Sequence, residues 1–397
     1  MNLAPLPSLL LAVVVLLIGT AVNRRVGILS RYNIPDPITG GLLFAAIASV
    51  VLAVWGFKVG IDQTIKPTLL LMFFAGVGLS SDLRQLKAGG KALILFLLVL
   101  LPYVLAQNVV GVGMTQVLDL HPIYGLVAGS ITLVGGHGTG AAYATRFAEI
   151  NNLQAVMELS MTVATLGLIL GGIVGGPVAQ FLITRYNLAS TSGTVAENEA
   201  REAANDPITT TGFIAVLAAI LVAVMVGTWL GEKFAGAPIT LPTFLWCMLT
   251  GVAIRNVLPL VGKPTDDRAA ELISGVSLSL FLVMTMMALD LVDIARSAGP
   301  FVAIVLVQVV VIVLYAIFVC FRAMGKDYEA ATTSAAFIGF CMGSTATAMA
   351  NMQAITAKYG PAPKSFLIVP LAGAFFVDLM NAIVLTLLLA IPFMGGG

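Results

Sequence analysis

The chain alternates long apolar runs with short polar joints, and the runs are too long and too uniform for a soluble fold. They cover residues 6–22, 38–57, 67–81 and 92–117, followed by two longer regions at 122–150 and 153–183. A polar segment, 187–210, comes next, and its Ala, Ser, Thr, Asn and Glu content with Gly193 and Pro207 predicts a flexible linker. The order then repeats, with runs at 212–231, 241–254, 269–289 and 300–321, a region at 331–353 and a last run at 365–393. Most of these runs approach the ~20 residues that a helix needs to cross about 30 Å of hydrocarbon. The pattern predicts an all-α polytopic membrane protein.

Two of the regions carry an interruption. Gly135-Gly136-His137-Gly138-Thr139-Gly140 lies in the first, and Gly343-Ser344-Thr345-Ala346-Thr347-Ala348 in the second. A glycine inside a helix costs roughly 1 kcal/mol relative to Ala. The backbone groups freed by a break are tolerated in hydrocarbon only when buried in protein or facing a wet cavity. Broken apolar segments at matching places in two halves of a membrane protein point to a transporter binding site. Close helix packing through small residues is the competing explanation.

The halves, 1–186 and 211–397, share more than this break. Pro37-Ile38-Thr39 and Pro238-Ile239-Thr240 open the second run of each, and Glu158 and Asp378 sit near the start of each final span. Five spans plus a re-entrant hairpin per half, near 122–150 and 331–353, make the two repeats inverted. Positively charged loops favour the cytoplasmic side. With both termini outside and the linker inside, only Lys58, Lys66, Arg146, Lys233 and Arg296 of the 20 lysines and arginines fall outside. The expectation is ten spans in the inner (plasma) membrane.

Composition narrows the class further. The chain of 397 residues is 59% hydrophobic and 10% charged, with a mean hydropathy of +1.03, whereas soluble domains carry about a quarter charged residues. A net charge of +1 without a basic patch offers nothing to nucleic acid. Cys247, Cys320 and Cys341 all lie in apolar runs and read as packing residues. The N-terminus lacks the positive region of a signal peptide, so the first run reads as a retained span.

A hairpin tip presents N–H groups at the start of one half-helix and carbonyls at the end of another, one an anion site and the other a cation site. Built from both halves, it suits a small carboxylate with Na⁺. Asp378 and Asn381, one turn apart, could hold Na⁺ or a substrate ammonium, or make a plain interhelical hydrogen bond. Glu158 is the first-half counterpart, and Asn351 lies a turn beyond the second tip. Arg146 could attract a carboxylate or simply set topology. His137 reads as a hydrogen-bonding or loop-shaping residue, with proton coupling the lesser alternative, and His121 as structural.

The first motif, extended by Ala141-Ala142, resembles the first re-entrant loop of bacterial sodium:glutamate symporters. The second, with Ala350-Asn351-Met352, resembles their second loop, with Ala346 where the family pattern has proline. Length, central linker and Pro-Ile-Thr-Gly-Gly at 37–41 extend the resemblance over the chain. It implies a secondary transporter, not an enzyme, that brings L-glutamate in with Na⁺ and needs no other cofactor. It also implies a homodimer with a scaffold and a moving, elevator-type transport domain. The substrate-binding set is then Gly135, Gly136, His137, Gly138, Thr139, Gly140, Gly343, Ser344, Thr345, Thr347 and Asp378. The Na⁺ candidates are Thr345, Asn351, Asp378, Asn381 and Glu158. A close rival carries aspartate or a di- or tricarboxylate, or couples to H⁺. An intramembrane enzyme lacks support, with no His-Glu-x-x-His and nothing favouring Asp290 and Asp378 as a dyad. A channel has no ring of charge to expect.

Overall fold

The computed structural model describes residues 3–27, 29, 34–57, 60–150, 155–190, 208–234, 241–261, 266–288 and 291–390. The chain opens with α1 (Pro5–Arg25), α2 (Asp36–Trp55), α3 (Lys66–Leu79) and α4 (Gln85–Val117). A broken stretch follows: α5 (Pro122–Leu126), a π turn at Val127–Ile131, and α6 (Gly136–Ile150). Next come α7 (Val156–Tyr186), α8 (Thr210–Lys233), α9 (Thr243–Val257) and α10 (Asp267–Met287). α11 (Leu291–Tyr315), a π turn at Ala316–Cys320 and α12 (Phe321–Ala323) lead to α13 (Tyr328–Met342) and α14 (Thr345–Tyr359). The described chain ends with α15 (Pro363–Leu371), a π turn at Ala372–Phe376 and α16 (Val377–Leu389).

Among the described residues, six helices are long and apolar enough to cross a membrane: Pro5–Arg25, Gly89–Val117, Val156–Tyr186, Thr210–Lys233, Asp267–Met287 and Gly299–Ala323. The other expected spans, 38–57, 67–81, 241–254 and 365–393, meet the shorter apolar helices Asp36–Leu52, Lys66–Leu79, Thr243–Val257 and Val377–Leu389. Local chemistry sets these lengths. Proline in the first turn fixes the start of α2 and α3, left-handed Gly56 ends α2, and the π turn divides the last run. Residues 191–207 of the expected linker, Pro238-Ile239-Thr240 and Asp290 lie outside the described residues.

The chain forms two compact units, and neither coincides with one half. The first takes Met1–Ser81, Ala141–Thr162 and Thr211–Gly299, and the second Asp82–Gly140, Val163–Thr210 and Pro300–Gly397.

In the first unit α3 packs on α9 and α10, and α2 packs on α1 and α10. Phe74 of α3 meets Phe244 of α9 with ring centroids 4.5 Å apart. The Pro-Ile-Thr opening of α2 has a structural use here. Thr20 and Asn23 of α1 donate to the two carboxylate oxygens of Asp36, each at 2.7 Å. Thr39 donates to the Asn23 Oδ1 at 2.8 Å. Arg255, 8% exposed, meets Asp267 at 2.8 Å.

In the second unit an aromatic cluster ties α4, α11 and α13 together. Phe337 meets Tyr103 at 5.3 Å and stacks on Tyr315 at 5.8 Å between centroids. Tyr315 Oη donates to the Val99 carbonyl at 2.7 Å.

Removing the Asp36 carboxylate strands the Asn23 amide, which is 5% exposed. Asp36→Ala is therefore expected to destabilise the first unit by about 1–3 kcal/mol. Thermal unfolding of the detergent-solubilised protein checks this, and an unchanged midpoint would mean that the network bears no weight.

Candidate functional site

Both interruptions fall in the second unit, and the local sequence explains each. In the first, residues Thr132 and Leu133 complete the incoming arm before a turn at Val134-Gly135. α6 then starts at Gly136, whose φ of +64° suits a residue without a Cβ. In the second, α13 stops at Gly343, and Ser344 caps α14 by accepting the Thr347 N–H at 3.3 Å.

α13 and α14 lie side by side and antiparallel. Tyr328 Oη bonds the Gly360 carbonyl at one end of the pair. Asn351 Nδ2 reaches the Ala335 carbonyl at 3.1 Å nearer the tip, and also the Gly171 carbonyl of α7 at 3.0 Å. α7 comes this close because its facing residues are glycines: a Cβ at Gly167 would stand 2.3 Å from the Met342 carbonyl oxygen.

The two tips approach each other closely: a Cβ placed on Gly136 would lie 3.5 Å from the Gly343 carbonyl oxygen, two hundred residues away. Around this approach is a cavity of about 120 Å³ lined by both tips and by the start of α16. It is well below the roughly 300–1,000 Å³ of drug-binding pockets, which suits a small solute. A larger groove, about 540 Å³, runs along Pro177, Phe181 and Arg185, but all its lining residues come from α7 and nothing polar converges from another element.

Gly135, Gly136, Gly343, Ser344, Thr345 and Asp378 of the expected set line the cavity. His137 stands beside it, 7% exposed, with Nε2 3.1 Å from Thr165 Oγ1 of α7. Gly138, Thr139 and Gly140 form the first turns of α6, with Thr139 5% exposed. Thr347 is buried under the Ser344 cap, and Asn351 clips the hairpin arms. Asn381 is fully buried and donates to the Ser130 carbonyl at 2.9 Å. Glu158 is not among these: it falls in the first unit, where its charge acts on Lys66.

Phe340, Gly373, Val377 and Val134 complete the lining and carried no signal, being apolar or small within apolar runs. A set of buried amides was also missed. Gln107 donates to the Cys341 carbonyl at 3.0 Å, and Asn108 to Ser130 Oγ at 2.8 Å. Gln308 donates to the Gln107 carbonyl at 2.7 Å. Amides at membrane depth are themselves a signal, because hydrocarbon penalises them unless they are paired.

The cavity has two electrical ends. α6 and α14 both begin at it, and their first N–H groups lack intrahelical acceptors, so they attract an anion. The closing carbonyls of α13 and the Asp378 carboxylate attract a cation. An amino acid carries both charges.

Comparison with known proteins agrees with this chemistry. A family model described as "Sodium/glutamate symporter" matches residues 1–361. A sodium/glutamate symporter from Haemophilus influenzae is 40% identical, over 97% of this chain and 96% of its own. One from Escherichia coli is 41% identical, over 100% of both chains. Among solved structures, the sodium proton antiporter MjNhaP1 from Methanocaldococcus jannaschii covers 98% of this chain at a TM-score of 0.42 and 15% identity. That level leaves the fold to be argued from the helices themselves.

Asn351→Leu removes both bonds that clip the second hairpin. It is expected to raise amide hydrogen exchange at residues 343–348 by about tenfold or more, the equivalent of about 1.4 kcal/mol. Unchanged protection there would mean that the arms are held by packing alone.

Proposed function

The chain belongs to the sodium/glutamate symporter family, and from that premise we propose that it imports L-glutamate with Na⁺ at the cavity between the two tips. One observation carries the reading: two helix starts and one carboxylate converge on a single small space. The α-carboxylate of glutamate lies at the N–H groups that open α6 and α14, where no Cβ of Gly136 keeps it away. Ser344 and Thr345 add hydroxyls that donate to the same anion. Asp378 faces the ammonium or Na⁺, with the Gly343 carbonyl beside it. Na⁺ promotes binding because it offsets the repulsion between Asp378 and an anionic substrate.

The same proposal assigns the membrane arrangement. Each half supplies five spans and a re-entrant hairpin, the halves are inverted, and both termini face outward from the inner membrane. The division into units supports this in its main segments, since 1–81 and 211–299 share the first unit and 82–140 and 300–397 the second, while 141–162 of the first half joins the first unit without a counterpart. The second unit is the moving domain of an elevator-type cycle and the first is the scaffold of a homodimer, a reading that the family resemblance supports.

Labelled glutamate uptake into proteoliposomes is expected to require an inward Na⁺ gradient, and undiminished uptake in choline buffer overturns the coupling. Thr345→Leu, which fills the cavity, is expected to lower uptake at least a hundredfold while the protein still elutes as a folded species. Competition by aspartate and by di- and tricarboxylic acids separates glutamate from the rival substrates.

A further inference from the structure

The incoming arm of the first tip contains a second break that hydropathy did not reveal. Gly129, inside the π turn, has φ −104° and ψ −135°, so the helix is unwound before the chain reaches the tip. Buried amides from three other helices gather on this point. Asn108 of α4 accepts the Ser130 N–H at 3.1 Å, and Asn381 of α16 donates to the Ser130 carbonyl. Gln308 of α11 donates to the Ala128 carbonyl at 3.4 Å as well as to that of Gln107. The Gln107 side chain spans from here to Cys341, two residues before the second tip. Each of the four amides is at most 1% exposed.

What these amides leave unpaired is one-sided. Among the described residues of the second unit, the buried side-chain polar atoms without a hydrogen-bond partner are Gln107 Oε1, Gln308 Oε1 and Asn381 Oδ1. All three are acceptors, while every amide nitrogen is in use. Buried acceptors of this kind call for an electropositive partner. Asn381 and Gln308 are fixed through their nitrogens to the Ser130 and Ala128 carbonyls, so both side-chain amides lie beside the residues flanking Gly129.

Resting on the symport reading, we infer that a coupling Na⁺ has its own site at the Gly129 break, built from the amide oxygens of Asn381, Gln308 and Gln107. Amide oxygens suit a hard cation. A site without a carboxylate holds the ion weakly enough to release it at the far side of the membrane. The site is distinct from the tip cavity yet close to it, because Asn381 lies one helical turn of about 5.4 Å beyond Asp378. Asp378 is then free for the substrate ammonium.

The test is a titration of purified protein in nanodiscs with ²²Na⁺ in the absence of glutamate, paired with glutamate binding at saturating Na⁺. Gln308→Leu and Asn381→Leu are each expected to weaken Na⁺ half-saturation at least tenfold. In the parent protein, saturating Na⁺ without glutamate is expected to slow amide hydrogen exchange at residues 128–131 at least threefold relative to K⁺. Unchanged half-saturation in both leucine variants overturns the inference and assigns the oxygens to a buried water. Should the leucine variants not fold, the exchange measurement on the parent decides, and protection at residues 128–131 that is the same in Na⁺ and K⁺ overturns the site. A parent protein whose glutamate binding ignores Na⁺ would instead sink the symport reading itself.

Discussion

Two helices broken within apolar runs impose the constraint on which the second unit depends. Each backbone group freed by a break would cost several kcal/mol unsatisfied in hydrocarbon. The chain meets this from intact helices, with side-chain amides in place of water. Asn108 and Asn381 serve Ser130 and Gln107 serves Cys341, while Asn351 ties the second hairpin together at Ala335 and to α7 at Gly171. Ser344 caps the helix that restarts after Gly343. The tips can therefore expose a few backbone dipoles to a solute without collapsing onto one another.

The electrical arrangement that results makes substrate and cation depend on each other. Helix starts draw a carboxylate in, and Asp378 opposes a second negative charge unless something positive is near. On the reading proposed here, a Na⁺ about 6 Å from a substrate carboxylate contributes roughly 2.8 kcal/mol at an effective dielectric of about 20. That is on the order of a hundredfold in affinity, at the upper end of typical coupling energies. Coupling of this size needs no conformational relay, only two sites one helical turn apart.

The glycine motifs were legible because their composition contradicts a lipid-facing helix, and from them followed the tips and Thr345; Asp378 was legible as an ionisable residue inside an apolar run. Other features were hidden for identifiable reasons. Phe340 and Gly373 line the cavity, yet inside an apolar run they look like any core residue. The π turns and the Gly129 break do not alter hydropathy, so the last run read as a single span. Glu158 matched Asp378 by position in its half, but compact units join segments far apart in sequence, and it falls in the other unit. The amides Gln107, Asn108 and Gln308 were visible as letters, and only their partners reveal that they hold the breaks. Pro37-Ile38-Thr39 shows the reverse case: a shared tripeptide that Thr39 and Asn23 explain as structural.

The same bonds decide how a bound solute can leave. Parting the second hairpin would break the two Asn351 bonds and the Tyr328 contact to Gly360. It would also disturb the base of the hairpin, where the Glu329 carboxylate accepts from the Ser365 N–H at 2.9 Å and its hydroxyl at 2.7 Å. At about 1–3 kcal/mol for each buried group left unpaired, that is on the order of 5–15 kcal/mol, against a total stability of about that size for a typical protein. Opening the tips would come close to unfolding the unit that holds them. Displacing the unit as a whole leaves every one of those bonds intact. On the reading proposed here, these bonds favour rigid-body alternation over a gated pore through the tips.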